Sequence, residues 1–176
     1  MFLSLNTNMD WIIKTTVKLD AILPIVDNLT NTLDAIDLSK EPKSTRGNDS
    51  VQWQLISVKD NEWVEIVEAI KIKIKDEWKK KFDQDILLAL AGAWTVKGQE
   101  HSYHTLHNHQ KNNTDVSKRI STVIYLQMPK KRWNGDGAFY FVIQEKEKLI
   151  SYHIDPEPGT YVIMPSNMLH GAYPQP

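Results

Sequence analysis

Four of the chain's six histidines, His101, His104, His107 and His109, fall within residues 101–109. Imidazole nitrogens are common ligands of first-row transition metals, and they also act as acids and bases near neutral pH. A crowd of histidines on a short segment therefore indicates one of two things. It is a metal site, which needs a further ligand from elsewhere in the chain, or it is a polar loop in contact with solvent.

One residue separates His107 from His109. In an extended strand, residues i and i+2 point to the same face. The two imidazoles therefore project together if residues 106–110 are extended, and they could hold two adjacent positions of one metal ion. His101 shares their parity but lies farther away, and His104 has the opposite parity.

A third ligand has to come from a distant strand. His170 is the leading candidate, because it follows an apolar strand and a polar turn. His153, inside another predicted strand, is the alternative. We predict that His170 converges with His107 and His109, with ring nitrogens about 3 Å apart, as in ligands that share one ion.

The composition narrows the possible functions. The absence of cysteine excludes disulfides, thiolate ligands and a cysteine nucleophile, so a metal would be held by His, Asp or Glu. Such ligands suit iron, manganese or zinc. The formal net charge of −1 argues against a nucleic-acid-binding surface. Residues 1–10 are too polar for a signal peptide, and no apolar run has membrane-spanning length. We expect a cytoplasmic protein that binds neither nucleic acid nor a membrane.

The first half of the chain mixes strand and helix patterns. A β-branched run predicts a strand over residues 11–18, and helical spacing of apolar residues predicts a helix over 22–36. A polar loop over 38–50 and a strand over 51–58 follow. Residues 61–82 predict an amphipathic helix with one apolar stripe, formed by Trp63, Ile66, Val67, Ile70, Ile74, Trp78 and Phe82.

The second half has the pattern of an all-β protein. Turn sequences at residues 134–137 and 155–159 separate apolar, β-branched segments. Several short strands at regular spacing indicate a sandwich or a barrel. The predicted strands cover residues 86–96, 120–126, 138–143, 149–154 and 160–164.

These patterns together predict one domain over residues 1–176. An α+β support region would occupy residues 1–85, and a β core would occupy residues 86–176. The fold class is mainly β with N-terminal helices, and helices packed on one side of a jelly roll fit the order of elements.

Five sequence blocks in the second half carry a resemblance to a known family. In order, they are residues 93–98, 107–109, 121–126 with Pro129, 135–139, and 158–166 with Leu169 and His170. Their order resembles the 2-oxoglutarate- and Fe(II)-dependent oxygenases, in the prolyl-hydroxylase-like branch. Within that branch, the sequence is most similar to a group of uncharacterised bacterial and phage proteins with His-x-His in place of His-x-Asp. The resemblance covers residues 86–176.

The resemblance implies a double-stranded β-helix, which is a cupin-like jelly roll, with the helices packed on its major sheet. It implies that His107, His109 and His170 hold Fe(II) and that the hydroxyl of Tyr125 contacts the cosubstrate 2-oxoglutarate. The protein would then be a dioxygenase that hydroxylates an unknown substrate, either a small molecule or a protein side chain.

Two departures from the family pattern bear on the site. First, His109 stands where most members have Asp, and Asp115 is the other residue that could supply a carboxylate. Second, the sequence ends at residue 176, before the final barrel strand and the basic residue that binds the far carboxylate of 2-oxoglutarate. Lys118 and Arg119 are candidates to replace that cation. We expect either a piece of a longer protein or altered or lost cosubstrate binding.

Two other functions fit the same residues. One is a cupin-like metal enzyme with a three-histidine centre, which does not use 2-oxoglutarate and therefore needs no cation for a cosubstrate carboxylate. A degenerate protein would keep the jelly roll for binding or for structure and have no catalysis.

Overall fold

The computed structural model describes residues 12–16, 47–54, 61–109 and 119–176. Within these ranges the chain forms eight strands and one helix. In chain order they are β1 (Ile13–Thr16), β2 (Gly47–Gln54), α1 (Asn61–Phe82), β3 (Trp94–His107), β4 (Ile120–Ile124), β5 (Phe139–Glu145), β6 (Lys148–Ile154), β7 (Thr160–Pro165) and β8 (Leu169–Ala172).

The chain divides into two compact units. The first comprises residues 1–17, 44–50 and 98–176, and the second comprises residues 18–43 and 51–97. All the histidines belong to the first unit, and α1 belongs to the second. The single domain over residues 1–176 and the packing of helices on the major sheet stay predictions.

The strands form two antiparallel sheets, in the orders β1-β7-β4 and β2-β3-β8-β5-β6. In the three-stranded sheet, β7 is central, and Ile163 stands opposite Ile13 on one side and Thr122 on the other. In the five-stranded sheet, β8 lies between β3 and β5. This register places His170 opposite His107 on β3 and opposite Phe141 on β5.

The core of the first unit lies between the two sheets. Along β5 the buried residues alternate with half-buried ones, which is the period of a strand with one inward face. Each fully buried large apolar side chain contributes about 1.5–3 kcal/mol. The buried cluster combines residues of both sheets, so the sheets face each other as in a jelly roll; its members are Phe139, Phe141, Ile143, Ile154, Val162, Met164 and Met168.

Four predicted strands are present as β4, β5, β6 and β7, with ends shifted by one or two residues. The turn at residues 134–137 is also present. It is held by the Asp136 carboxylate, which accepts hydrogen bonds from the backbone N–H groups of Arg132 at 2.9 Å and Trp133 at 2.8 Å. Gly137 adopts a φ of +63°, which favours glycine.

Two assignments made from the sequence are wrong. The strand predicted over residues 86–96 is irregular over 86–93, and β3 begins only at Trp94. The loop predicted over 38–50 is wrong at its end, because β2 already begins at Gly47. In both places the residue composition predicted the wrong secondary structure, because strand formation also depends on pairing with a neighbouring strand. The strand β8 was not predicted.

The predicted helix over residues 61–82 is present with these bounds. In its described part, Ile74 and Trp78 are buried, and the Trp78 ring centroid lies 4.5 Å from that of Phe82. On the other face, Lys73 and Lys80 pair with Glu77 at 2.7 and 3.1 Å. The hydrogen bond from Lys73 holds the pKa of the Glu77 carboxyl below its usual value.

Some predictions lie outside the described residues: the helix over 22–36, most of the loop over 38–50, and the ends of two strands at 17–18 and 55–58. In the part of the chain that the structure describes, no helix is long and apolar enough to cross a membrane.

Candidate metal centre

Three of the histidines come together in the first unit. His107 is the last residue of β3, His109 lies two positions beyond it, and His170 is on β8. Each offers one ring nitrogen, and these nitrogens all lie within 4.8 Å of one another. The Nε2 atoms of His109 and His170 are 3.2 Å apart. The structure thus brings together the three histidines that the sequence singled out.

Strand pairing positions the first pair. His107 and His170 are directly opposite each other on β3 and β8, and their ring centroids are 4.4 Å apart. The register of this pair of strands is irregular between His104 and His107. The irregularity lies immediately before His107, the residue by which β3 joins the histidine cluster.

His109 reaches the cluster by a different route. The assigned strand β3 ends at His107, and His107 and His109 nevertheless lie in the same group, as their spacing predicted. The backbone N–H of His109 donates a hydrogen bond of 2.8 Å to the carbonyl of Ser166, in the turn between β7 and β8. The turn that precedes His170 therefore also anchors His109.

Backbone carbonyls orient two of the rings. Nδ1 of His107 lies 2.7 Å from the carbonyl oxygen of Thr105, and Nδ1 of His170 lies 2.8 Å from that of Met168. A carbonyl oxygen can only accept, so the proton of each neutral ring sits on Nδ1. The Nε2 atom then carries a lone pair, and a histidine that binds a metal through one nitrogen commonly donates its other ring N–H to a carbonyl in this way.

The inner side of the cluster is apolar. His170 is 3% exposed, and the ring of Phe139 stacks beside it with centroids 5.6 Å apart and an interplanar angle of 25°. His107 and His109 are half-buried. The site is therefore closed towards the core and partly accessible from the side of these two histidines.

The donor set fits a divalent transition metal. An ion at 2.0–2.1 Å from two adjacent imidazoles separates their nitrogens by about 3.0–3.4 Å. The His109–His170 distance of 3.2 Å already meets this requirement. Among the described residues no carboxylate joins the group, and Asp115 lies outside them. Three neutral imidazoles suit iron, cobalt, nickel, copper or zinc better than magnesium or calcium.

The other histidines stay outside the cluster. His104 is half-buried with its ring 6.3 Å from that of His107, and burial, followed by the charge of His107, lowers its pKa. His101 is exposed, with a φ of +63°. His153 lies on β6, where its Nε2 is 3.2 Å from both the Ser151 Oγ and the Tyr173 hydroxyl.

Tyr125 directly follows β4 and extends its pairing with β7. Its N–H donates to the Thr160 carbonyl at 2.9 Å, and its carbonyl accepts from Gly159 at 2.7 Å. The side chain packs against the buried cluster between the sheets, and burial raises the pKa of its hydroxyl. The hydroxyl is therefore protonated at neutral pH and can donate a hydrogen bond.

Of the two candidate cations, Lys118 lies outside the described residues. Arg119 directly precedes β4, and its carbonyl accepts a hydrogen bond of 3.1 Å from the N–H of Ser166. Since the Ser166 carbonyl accepts from His109, the backbone of Arg119 lies beside the turn that anchors this histidine.

The sequence did not reveal the groups that orient the ligands. The carbonyls of Thr105 and Met168 belong to the backbone, and the residue types at these positions do not indicate that their carbonyls accept hydrogen bonds from histidines. Phe139 could have been found only indirectly, as the first residue of a strand after a glycine-containing turn. Its position beside His170 depends on the pairing of β5 with β8.

No model of a known protein family matches the sequence, and no curated protein matches it. Solved structures do. A prolyl-4-hydroxylase from Pseudomonas putida is similar with a TM-score of 0.64 and 12% identity, over 93% of this chain and 85% of that one. A prolyl hydroxylase from Trichoplax adhaerens, in complex with a peptide fragment of the hypoxia inducible factor oxygen degradation domain, has a TM-score of 0.61 and 12% identity. That likeness covers 96% of this chain and 79% of the other. The chain therefore has the fold of the prolyl hydroxylases.

Proposed function

We propose that the protein is a non-haem Fe(II)- and 2-oxoglutarate-dependent dioxygenase that hydroxylates a small molecule or a protein side chain. One observation carries the proposal: His107, His109 and His170 converge with their ring nitrogens within 4.8 Å. They do so in a chain with the fold of the prolyl hydroxylases. A net charge of −1 supports the further proposal that the protein has no nucleic-acid partner. A cytoplasmic location is also proposed, on the polar composition of residues 1–10.

The protein's own part in such a reaction is to bind, orient and exclude water. Bound iron and 2-oxoglutarate would supply the oxidation chemistry. The carbonyls of Thr105 and Met168 hold Nδ1 of two rings, which leaves their Nε2 atoms to bind a metal, and the Ser166 carbonyl anchors the backbone of His109. Phe139 and the buried cluster behind it keep water from the inner side of the site.

The carboxylates of the cosubstrate need partners, because a buried charge without one is costly. We propose that the hydroxyl of Tyr125 donates a hydrogen bond to the far carboxylate. Its raised pKa supports this role, since the hydroxyl keeps its proton. Arg119 is the candidate for a positive charge, because its backbone lies beside the turn that anchors His109.

The cluster also favours a second candidate function. Among the described residues the ligand group is entirely imidazole, without the carboxylate that accompanies two histidines in most such oxygenases. A jelly-roll metal protein with a three-histidine centre would use this group without 2-oxoglutarate. A degenerate binding protein would lack metal binding altogether.

An anaerobic titration separates these functions. Fe(II) and then 2-oxoglutarate are added to the full chain, and the weak visible charge-transfer band of the iron chelate is recorded. The dioxygenase is expected to show the band only with both additions, to lose it in His170→Ala, and to keep it in the control His153→Ala. Iron binding without the band would favour the second candidate, and no iron binding would contradict both.

A further inference from the structure

We infer that the side-chain hydroxyl of Ser166 donates a hydrogen bond to the metal-side carboxylate of a 2-oxo acid, the one next to its keto group. This role rests on the proposed function, because it requires a metal on the three histidines and a 2-oxo acid cosubstrate. It deepens that function by giving the metal-side carboxylate a binding residue in the turn between β7 and β8.

Ser166 has a buried hydroxyl group without a partner. The residue is 3% exposed, and its Oγ makes no hydrogen bond to any residue that the structure describes. Its backbone groups are both bonded, since the N–H donates to the Arg119 carbonyl and the carbonyl accepts from the His109 N–H. A buried hydroxyl without a partner costs stability, so its presence needs a reason, and a bound ligand that supplies the acceptor is such a reason.

The strand register places this hydroxyl on the inner face of its sheet. The bond from the Ser166 N–H to the Arg119 carbonyl continues the pairing of β7 with β4 by one residue. Side chains alternate between the two faces of a strand, so Ser166 shares a face with Val162 and Met164. Both of these belong to the buried cluster that combines residues of the two sheets. The Ser166 side chain therefore projects towards the space between the sheets.

The histidine cluster lies at the same end of this space. His170 stands opposite Phe141, a member of the buried cluster, so its ring also faces the space between the sheets. His170 follows Ser166 by only four positions, and the Ser166 carbonyl holds the backbone of His109 at 2.8 Å. Ser166 is therefore a polar neighbour of a ligand that shares a metal with these histidines.

Position along β4 and β7 separates the two ends of a dicarboxylate. Tyr125, proposed for the far carboxylate, pairs with Thr160, which is six positions from Ser166 on the same chain segment. Six residues of strand span about 20 Å, so the two hydroxyls serve opposite ends of the ligand. Ser166 is at the end that holds His109, which is the metal side. Arg119 stands directly opposite Ser166 and shares its face, and a basic residue there favours a carboxylate.

The test compares Ser166→Ala with the control Ser102→Ala in the full chain. Both serines are 3% exposed, but Ser102 lies within β3, five positions before His107. Anaerobic calorimetric titration measures the affinity of each protein for Fe(II), and that of each iron-loaded protein for 2-oxoglutarate and for pyruvate. Pyruvate keeps the 2-oxo acid group and lacks the far carboxylate. Urea denaturation of the metal-free proteins measures their stability.

Ser166→Ala should lose roughly tenfold or more in affinity for both 2-oxo acids, because each loses a hydrogen bond to a charged group. Its Fe(II) affinity should not change, and Ser102→Ala should match the wild type in all three titrations. Without metal, Ser166→Ala should have a urea midpoint at least as high as that of the wild type, since the substitution removes an unpaired buried hydroxyl. A purely structural hydroxyl would show the opposite, a lower midpoint.

A loss of affinity confined to 2-oxoglutarate would assign Ser166 to the far carboxylate and overturn the inference. Unchanged affinity for both 2-oxo acids, weaker Fe(II) binding or a lower urea midpoint in Ser166→Ala would each do the same. So would an iron-loaded wild type that binds 2-oxoglutarate but not pyruvate. A wild type that binds Fe(II) and neither 2-oxo acid would contradict the proposed function itself, so that the two failures give different results.

Discussion

The Nε2 atoms of His109 and His170 face each other at 3.2 Å, although 61 positions separate the two residues in the chain. In neutral His170 the ring proton lies on Nδ1, which donates to the Met168 carbonyl, so Nε2 then offers a lone pair. Two lone pairs at this distance repel each other. The contact therefore requires either an N–H of His109 or a cation bound by both nitrogens, and a metal ion would take the place of that proton.

Loss of one imidazole from the cluster should abolish metal binding. His107→Ala and His170→Ala each remove one of three proposed ligands. Removing only a group that hydrogen-bonds to a ligand costs roughly 10- to 100-fold in metal affinity, so removing the ligand itself should cost more. Calorimetric titration with Fe(II) under anaerobic conditions measures the affinity, and circular dichroism checks the fold. His153→Ala is the control. Unchanged affinity in either cluster variant would move the site to His101, His104 or His153.

Tyr125→Phe should weaken 2-oxoglutarate binding and leave Fe(II) binding unaltered. A hydrogen bond to a charged group contributes about 1.5–3 kcal/mol, which corresponds to roughly a 10- to 150-fold change in affinity. The titration of the iron-loaded protein with 2-oxoglutarate measures it. Tyr152→Phe is the matched control, because the Tyr152 hydroxyl bonds to Glu145 at an exposed position. An unchanged affinity would make Tyr125 a packing residue.

Gly171→Ala should destabilise the protein by about 1–3 kcal/mol, because overpacking forces the surrounding backbone to move. A Cβ atom at this position would lie 2.6 Å from the Cζ and hydroxyl of Tyr140 and 2.7 Å from the carbonyl oxygen of His104. Urea denaturation measures the loss. Tyr140→Ala in the same background should recover only part of it, since the carbonyl remains. A wild-type midpoint in the single variant would contradict the close packing of β8 against β3 and β5.

Glu77→Gln should reduce stability by about 0.5 kcal/mol at pH 7, the value of one or two partly exposed helix ion pairs. The pKa of Glu77 is lower in the folded chain than its usual 4.5, chiefly because Lys73 bonds to its carboxylate. This stabilisation is therefore present above pH 4.5 and is lost as the pH falls through the folded pKa. Denaturation at pH 7 and pH 3 checks the sign.

Glu68→Gln is the control for that experiment. Glu68 is 55% exposed and pairs with one lysine of the described residues, Lys71, at 2.7 Å, whereas Glu77 is 13% exposed and pairs with two. A smaller effect is expected for Glu68. If Glu77→Gln loses more stability at pH 3 than at pH 7, the pairing with Lys73 does not stabilise the helix.

Local patterns were sufficient where one segment determines its own structure. The helix over 61–82 has an apolar stripe and long polar side chains, and its bounds agree with the structure. The apolar segments of β4 to β7 were recognised for the same reason. The glycines and aspartate at 134–137 predicted the turn, because the conformational freedom of glycine and the backbone hydrogen bonds of aspartate act within a few residues.

Long-range pairing determined what the sequence did not show. The polar end of β3 and the short β8 have weak strand propensity, yet they pair with each other and place His107 opposite His170. The spacing of His107 and His109 predicted that they project together, but it did not indicate that the backbone N–H of His109 bonds to the Ser166 carbonyl. The ligand types were predictable, but the way in which the third ring reaches the cluster was not.

Thr105 and Met168 contact the histidine rings through their main-chain carbonyls. No point substitution can delete a carbonyl. The orientation of these two imidazoles therefore depends on the backbone geometry. It should tolerate many substitutions at positions 105 and 168, provided that the backbone conformation is unchanged. Insertions or deletions of one residue next to these positions should be far more harmful to the centre than exchanges of side chain there.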